Sequence, residues 1–149
     1  AHAGDNARTA MAAGDIRNHS GQTLGRHEGL VGFTIGQRRG IGVAAGEPLY
    51  VTGMDGNTNT LFVGTDKETF RSKFVVGRVT WTRPISVGEE LPVDVRIRHR
   101  GRISPAVLTS LKSERVHCRF NLPMRAIAPG QSAVFYSGKG EMLGGGVIE

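Results

Sequence analysis

From residue 74 onward the chain reads as short apolar and β-branched segments separated by turn residues. In Leu91–Arg100, Val93, Val95 and Ile97 alternate with Asp94, Arg96 and Arg98. A period of two places those two sets on opposite faces of a strand. Phe74–Thr82, Ala106–Leu111, Val116–Phe120, Ala133–Tyr136 and Gly146–Ile148 are further short apolar or β-branched runs with turn residues between them. Short strands at such close spacing predict a sandwich or a small closed barrel. The expectation is a six-stranded antiparallel β-barrel over residues 74–149.

The earlier part of the chain is patterned differently. Asp15–Asn18 and Thr23–His27 flank His-Ser-Gly-Gln, and Leu49–Met54 and Thr60–Val63 flank Asp-Gly-Asn-Thr-Asn. Both read as hairpins. Gly29–Gln37 fits neither period and is expected as a loop or a short helical turn; Lys67–Ser72 is expected to add one helical turn. The fold class is therefore mainly β. Residues 1–13 are expected to be a flexible N-terminal segment, 14–73 a small mixed α/β module, and 74–149 the barrel.

Composition sharpens this picture. Gly supplies 22 of 149 residues, against an ordinary ~7%, scattered between apolar runs as a turn-rich β protein requires. Lys and Arg number 19 against 13 Asp and Glu, a formal charge of +6. A basic domain of this size is a candidate for nucleic acid or another anionic surface. The single cysteine, Cys118, excludes an internal disulfide and fits a reducing, cytoplasmic setting. No apolar run approaches the ~20 residues of a membrane span, and the polar N-terminus lacks the apolar core of a signal peptide.

Catalytic chemistry is sparse. Phe33–Gly42, FTIGQRRGIG, is rich in glycine and arginine. It has neither the GxxxxGK[ST] of a phosphate-binding P-loop nor the GxGxxG spacing of a dinucleotide turn. His117 and Cys118 are adjacent on a strand, so their side chains diverge and cannot readily ligate one metal. Cys118 shares the apolar face of its strand with Val116 and Phe120, as a core thiol does. His27-Glu28 lacks the second histidine of HExxH, and His2 and His19 stand in polar sequence. No catalytic residue and no metal site is assigned.

The strongest local signal is VRIRHRGR, residues 95–102. On a continuous strand, Arg96, Arg98, Arg100 and Arg102 would share one face at about 6–7 Å spacing. That spacing roughly matches successive phosphates, and guanidinium groups bind phosphate and stack on bases. The alternative is a solvated face paired with Asp94 or with glutamates elsewhere. Arg38 and Arg39 present the same choice, between a partner's phosphates and pairing with Glu28 or Glu47.

Several of these stretches together resemble one family. GRHEGLVGFTIGQRRGIGV is similar to the signature G-x-H-x-G-[LI]-x-x-[YF]-T-I-G-Q-R-[RK]-G, and IRHRG, PMRAIAPGQSAVFY and LGGGVI follow in the family's order. The family is that of the bacterial and organellar tRNA-specific 2-thiouridylases, formerly described as tRNA (5-methylaminomethyl-2-thiouridylate)-methyltransferases. The resemblance runs from about Gly14 to Ile148 and covers the central and C-terminal domains. It implies a tRNA-binding C-terminal fragment of an ATP-dependent enzyme that thiolates the wobble uridine. The family's ATP-pyrophosphatase domain, with its SGGxDS-type loop and paired cysteines, is absent from this chain. The chain alone is therefore expected to hold no cofactor and to be inactive, with ATP and a sulfur-donor protein implied for the full-length enzyme. The family's tRNA-contacting positions fall on Arg98, His99 and Gln131, where His99 replaces the usual aromatic. Arg96, Arg100, Arg38 and Arg39 are expected to join them. The rival expectation is a stand-alone protein-interaction module with a barrel like those of translation factors.

Overall fold

The computed structural model describes residues 10–149. The chain divides into two units, with the boundary between Phe70 and Arg71. The first unit is a four-stranded sheet of β1 (Gly14–Arg17), β2 (Thr23–His27), β3 (Tyr50–Asp55) and β4 (Thr60–Gly64). The spatial order is β2-β1-β4-β3. β1–β2 and β3–β4 are the two antiparallel hairpins that the turn residues predict. A parallel β1–β4 ladder joins them, with Asp15 opposite Thr60 and Arg17 opposite Phe62. Ile16, Leu30, Ile41, Val51, Leu61 and Val63 form its core.

Local chemistry explains the turns. The Asp55 carboxylate accepts from Thr58 Oγ1 at 2.8 Å and from the Asn57 amide at 2.8 Å. These bonds hold its carboxyl below the usual carboxylate range and close the second hairpin as an Asx turn. Two 3-10 turns, Leu30–Gly32 and Asp66–Thr69, stand where helical turns are expected. The second starts with a capping box between Thr65 and Glu68. Residues 1–9 of the segment expected to be flexible lie outside the described residues. The carbonyls of Ala12 and Ala13, at its end, accept from Asn59 Nδ2 at 3.0 and 3.1 Å.

The second unit is a closed six-stranded barrel. Its strands are β5 (Phe70–Trp81), β6 (Glu90–Arg96), β7 (Ser104–Ser110), β8 (Val116–Arg125), β9 (Ser132–Tyr136) and β10 (Met142–Ile148). Around the barrel they run β10-β5-β8-β7-β6-β9. Inward positions alternate as the pattern requires: Val93, Val95, Ala106, Leu108, Val116, Cys118, Phe120, Ala133 and Phe135 fill the interior. Phe74 packs on Phe120 at 5.5 Å and Trp81 on Phe135 at 5.6 Å between ring centroids. Two bulges bend the wall. One puts Arg78, φ 50°, and Val79 in a step where β10 advances by fewer residues; the other puts Leu143 in the β10 step opposite Phe135 and Tyr136.

One expectation fails. β6 ends at Arg96, so Leu91–Arg100 is not one strand and the four arginines do not share a strand face. The last β6–β7 partners are Val95 and Ser104. Beyond them the chain turns, and the Gly101 amide donates to the Arg98 carbonyl at 2.9 Å. Ile97 stays 3% exposed although its backbone has left the ladder.

Two tests follow from the core. Ile97→Ala should lower barrel stability by about 2–5 kcal/mol, the cost of deleting a buried branched side chain, measured by denaturant unfolding. A loss below ~0.5 kcal/mol would contradict its burial. Cys118 is fully buried, and desolvation pushes its thiol from the ordinary 9.0 up to about 12. The thiol should resist iodoacetamide at mildly alkaline pH until denaturant unfolds the barrel. The folded chain holds this proton where the unfolded chain has released it. Its contribution to stability is therefore complete below pH 9 and is lost as pH rises toward about 12.

Candidate nucleic-acid interface

The net positive charge belongs to the second unit. Residues 71–149 carry thirteen Lys and Arg against six Asp and Glu, while residues 1–70 carry six against seven. Among the described residues, none of Arg96, Arg98, Arg100 and Arg102 forms an ion pair. Salt bridges among the described residues include Arg17–Asp15 and Arg115–Glu149. Pairing with Asp94 therefore does not account for the basic segment.

An open cleft of about 580 Å³ lies in this unit at the seam between β6 and β9. Arg96, Ile97, Arg98 and His99 line it from one side, and Gln131, Ser132, Val134 and Tyr136 from the other. The seam is an antiparallel ladder in which Asp94 faces Tyr136 and Arg96 faces Val134. The guanidinium carbon of Arg96 stands 5.6 Å from the centroid of the Tyr136 ring, a cation–π contact.

Two turns aim the remaining groups. Arg98 leaves the end of β6, and its Nη2 donates to the carbonyls of Arg125 and Ala126 at 3.2 and 2.8 Å. These bonds tie the turn to the end of β8. Gln131 follows Ala128-Pro129-Gly130, which has the arrangement of a type II turn: proline second, and Gly130 with φ 86° third. The Gln131 amide donates to Ala128 O at 3.4 Å and its carbonyl accepts from Ile148 at 2.8 Å. The backbone is thereby fixed, and Gln131 lines the cleft. Gln131 Oε1 and Arg96 Nε are buried and have no hydrogen-bond partner among the described residues.

The structure thus brings Arg96, Arg98, His99 and Gln131 together. Arg100 is exposed in the adjoining β6–β7 loop, outside the cleft lining. Arg38 and Arg39 belong to the first unit, exposed, and neither pairs with Glu28 or Glu47. Their loop is tied down by Gln37: its Oε1 accepts from the Thr34 amide at 3.0 Å and its Nε2 donates to the Arg39 carbonyl at 2.8 Å. Backbone bonds Gly36–Val51 and Val51–Gln37 fasten the loop to β3. Sequence reasoning missed Tyr136 and Ser132, because only the long-range β6–β9 pairing puts them beside Arg96. No group of three or more His, Cys, Asp or Glu placed to hold a metal occurs among the described residues, and no described helix is long and apolar enough to cross a membrane.

Fold and cleft define a two-unit β protein whose barrel presents a basic, partly aromatic cleft. Residues 6–65 match the family model described as "tRNA methyl transferase PRC-barrel domain", and residues 71–148 match the "Aminomethyltransferase beta-barrel domain". The chain is 39% identical over 140 residues to the tRNA-specific 2-thiouridylase MnmA of Nostoc punctiforme, covering 94% of this chain and 40% of the relative. It is 38% identical over 140 residues to that of Clostridium botulinum (94% and 38%). With that of Acidithiobacillus ferrooxidans it shares 40% over 136 residues (91% and 38%). The chain belongs to the tRNA-specific 2-thiouridylase family, and spans about two-fifths of the length of the curated relatives it matches.

The position of Arg98 carries a stability prediction. Arg98→Ala removes a charged donor from two backbone carbonyls, one of them on buried Ala126. Unfolding free energy should fall by about 1.5–2 kcal/mol, the lower part of the range for hydrogen bonds to charged groups. Equilibrium denaturation measures it, and an unchanged midpoint would show that the two bonds contribute nothing.

Proposed function

We propose that the chain is the tRNA-gripping part of a tRNA 2-thiouridylase that sulfurates the wobble uridine. The observation that carries this reading is the cleft itself. It gathers Arg96, Arg98, His99 and Gln131, residues from separate stretches of the sequence, on the unit that holds the excess positive charge. Unpaired arginines bind phosphate by releasing its counterions, and Arg100 and Arg102 extend the charge along the loop beside the cleft. In this reading ATP is used by the pyrophosphatase domain of the full-length enzyme, a donor protein supplies the sulfur, and the work is done in the cytoplasm. Arg38 and Arg39 add backbone contacts from the first unit.

The rival class, a protein-interaction module, makes a different demand on salt. Binding of unmodified tRNA should be measured across a salt series. The tRNA reading expects log affinity to fall steeply with log salt, by roughly 0.7–0.9 unit per phosphate neutralised, the span from single strands to a B-form duplex. Arg38→Ala combined with Arg39→Ala should weaken binding to cognate and non-cognate tRNA alike and reduce that slope by about one to two units. Absence of tRNA binding at low salt would remove the proposal. An unchanged slope in the double variant would confine the contact to the barrel.

A further inference from the structure

At the end of the barrel where β6 passes into β7, the core row of β8 runs out into solvent. Val116, Cys118, Phe120, Leu122 and Met124 share one side of that strand by alternation. The first three are at most 2% exposed, whereas Leu122 is 77% exposed and Met124 is only partly buried. The β7–β8 ladder explains the change. At this end its last partners are Ala106 and Phe120, while β8 continues to Arg125. Ser104, at the start of β7, reaches the projecting part, and its Oγ donates to Met124 Sδ at 3.6 Å. Its neighbour Ile103 is 40% exposed. Leu122, Met124 and Ile103 thus form an apolar lip that continues the core row past the rim.

The charge around this lip is of one sign. Residues 95–105 carry four arginines and residues 117–131 carry two, and neither stretch contains an aspartate, a glutamate or a lysine. Arg98 joins the two stretches through the Arg125 and Ala126 carbonyls. Single exposed aliphatic residues are ordinary on a protein surface. A leucine held in core register, beside a methionine and among arginines, has instead the make-up of a protein interface, where Arg and Met are enriched and Lys, Asp and Glu depleted. RNA makes little use of the aliphatic part, since its bases stack on aromatic rings and its phosphates need only cations. A membrane surface is met by a long amphipathic face, not by three side chains at a strand end. A second copy of the chain would set like charges against each other. We propose that the lip docks an acidic segment of a partner protein. An apolar side chain of that segment covers Leu122 and Met124, and its carboxylates answer Arg102 and the flanking arginines. Leu122, Met124 and Ile103 do not line the β6–β9 cleft, so this docking role stands apart from the tRNA reading.

The test uses the whole 149-residue chain and two fluorescent peptides. One alternates glutamate with leucine, and the other spaces leucines at helical intervals among glutamates. Fluorescence anisotropy should show binding of at least one of them, and its loss when serine replaces the leucines or lysine replaces the glutamates. Leu122→Ser should lower peptide affinity about 10- to 150-fold, the effect of leaving one leucine side chain uncovered. Its thermal melt should match the parent's, because the side chain is already exposed. Arg102→Ala should weaken the same complex, and Leu122→Ser should leave tRNA affinity unchanged. If neither peptide binds, or if Leu122→Ser binds peptide like the parent, the docking role is overturned, whatever tRNA does. If Leu122→Ser weakens tRNA as much as peptide, the lip belongs to an RNA footprint and the protein partner falls. Leu122-dependent binding of phosphatidylserine vesicles in place of peptide would overturn it as well. Should Leu122→Ser lower the melt, Leu122→Thr, which keeps strand propensity, takes its place with the same expected outcomes.

Discussion

Closing the barrel requires β10 to lie between β5 and β9, and at its three glycines there is no room for a Cβ. A Cβ on Gly144 would stand 2.5 Å from the Thr80 carbonyl oxygen, and one on Gly146 2.5 Å from that of Gly77. Neither neighbour is a flexible side-chain end that can move aside; both are backbone in the facing strand. The LGGG run is therefore a steric condition on closure. Once β10 is seated, β9 pairs with it on one edge and with β6 on the other. The cleft sits on that second seam, so the glycines of β10 determine whether Tyr136 ever meets Arg96.

Electrostatics then divides the arginines by role. Arg98 spends one guanidinium nitrogen on the carbonyls of Arg125 and Ala126, which holds the chain as it leaves β6 and keeps His99 at the cleft. Arg96 is held by the Tyr136 ring rather than by a carboxylate. Its charge is not neutralised by a partner within the described residues, and its Nε–H remains open. Arg100 and Arg102 are exposed and tied to neither. Cations fixed by carbonyls and π-faces keep their full charge for an external anion, which an ion pair would cancel.

Much of this was legible in the sequence, and the misses have a common cause. Alternation located the barrel strands and assigned Cys118 to the interior, because a half-buried strand leaves a local, period-two trace. The same trace misled at Ile97. That residue remains apolar and buried after the ladder has ended, so the pattern ran on while the backbone turned. Arg96 to Arg102 consequently looked like one cationic face. Tyr136 was legible as a strand residue but not as a cleft residue, since its place beside Arg96 depends on a pairing about forty residues apart in sequence. The stretches IRHRG and PGQ drew attention to Arg98, His99 and Gln131 separately. Only the fold shows them as lining one cleft.

The two glutamines that stand in turns show how architecture and recognition can be told apart. Gln37 uses both ends of its amide within its own loop, accepting from Thr34 and donating to Arg39. Removing it would free the backbone of FTIGQRRGIG; what the loop offers outward is the pair of exposed arginines. Gln131 is fixed by its backbone instead, through the Ala128–Gln131 turn and the Ile148 bond. Its amide oxygen is buried and unanswered. An amide that completes its own turn is a structural clip, whereas one whose turn is complete without it is available for recognition.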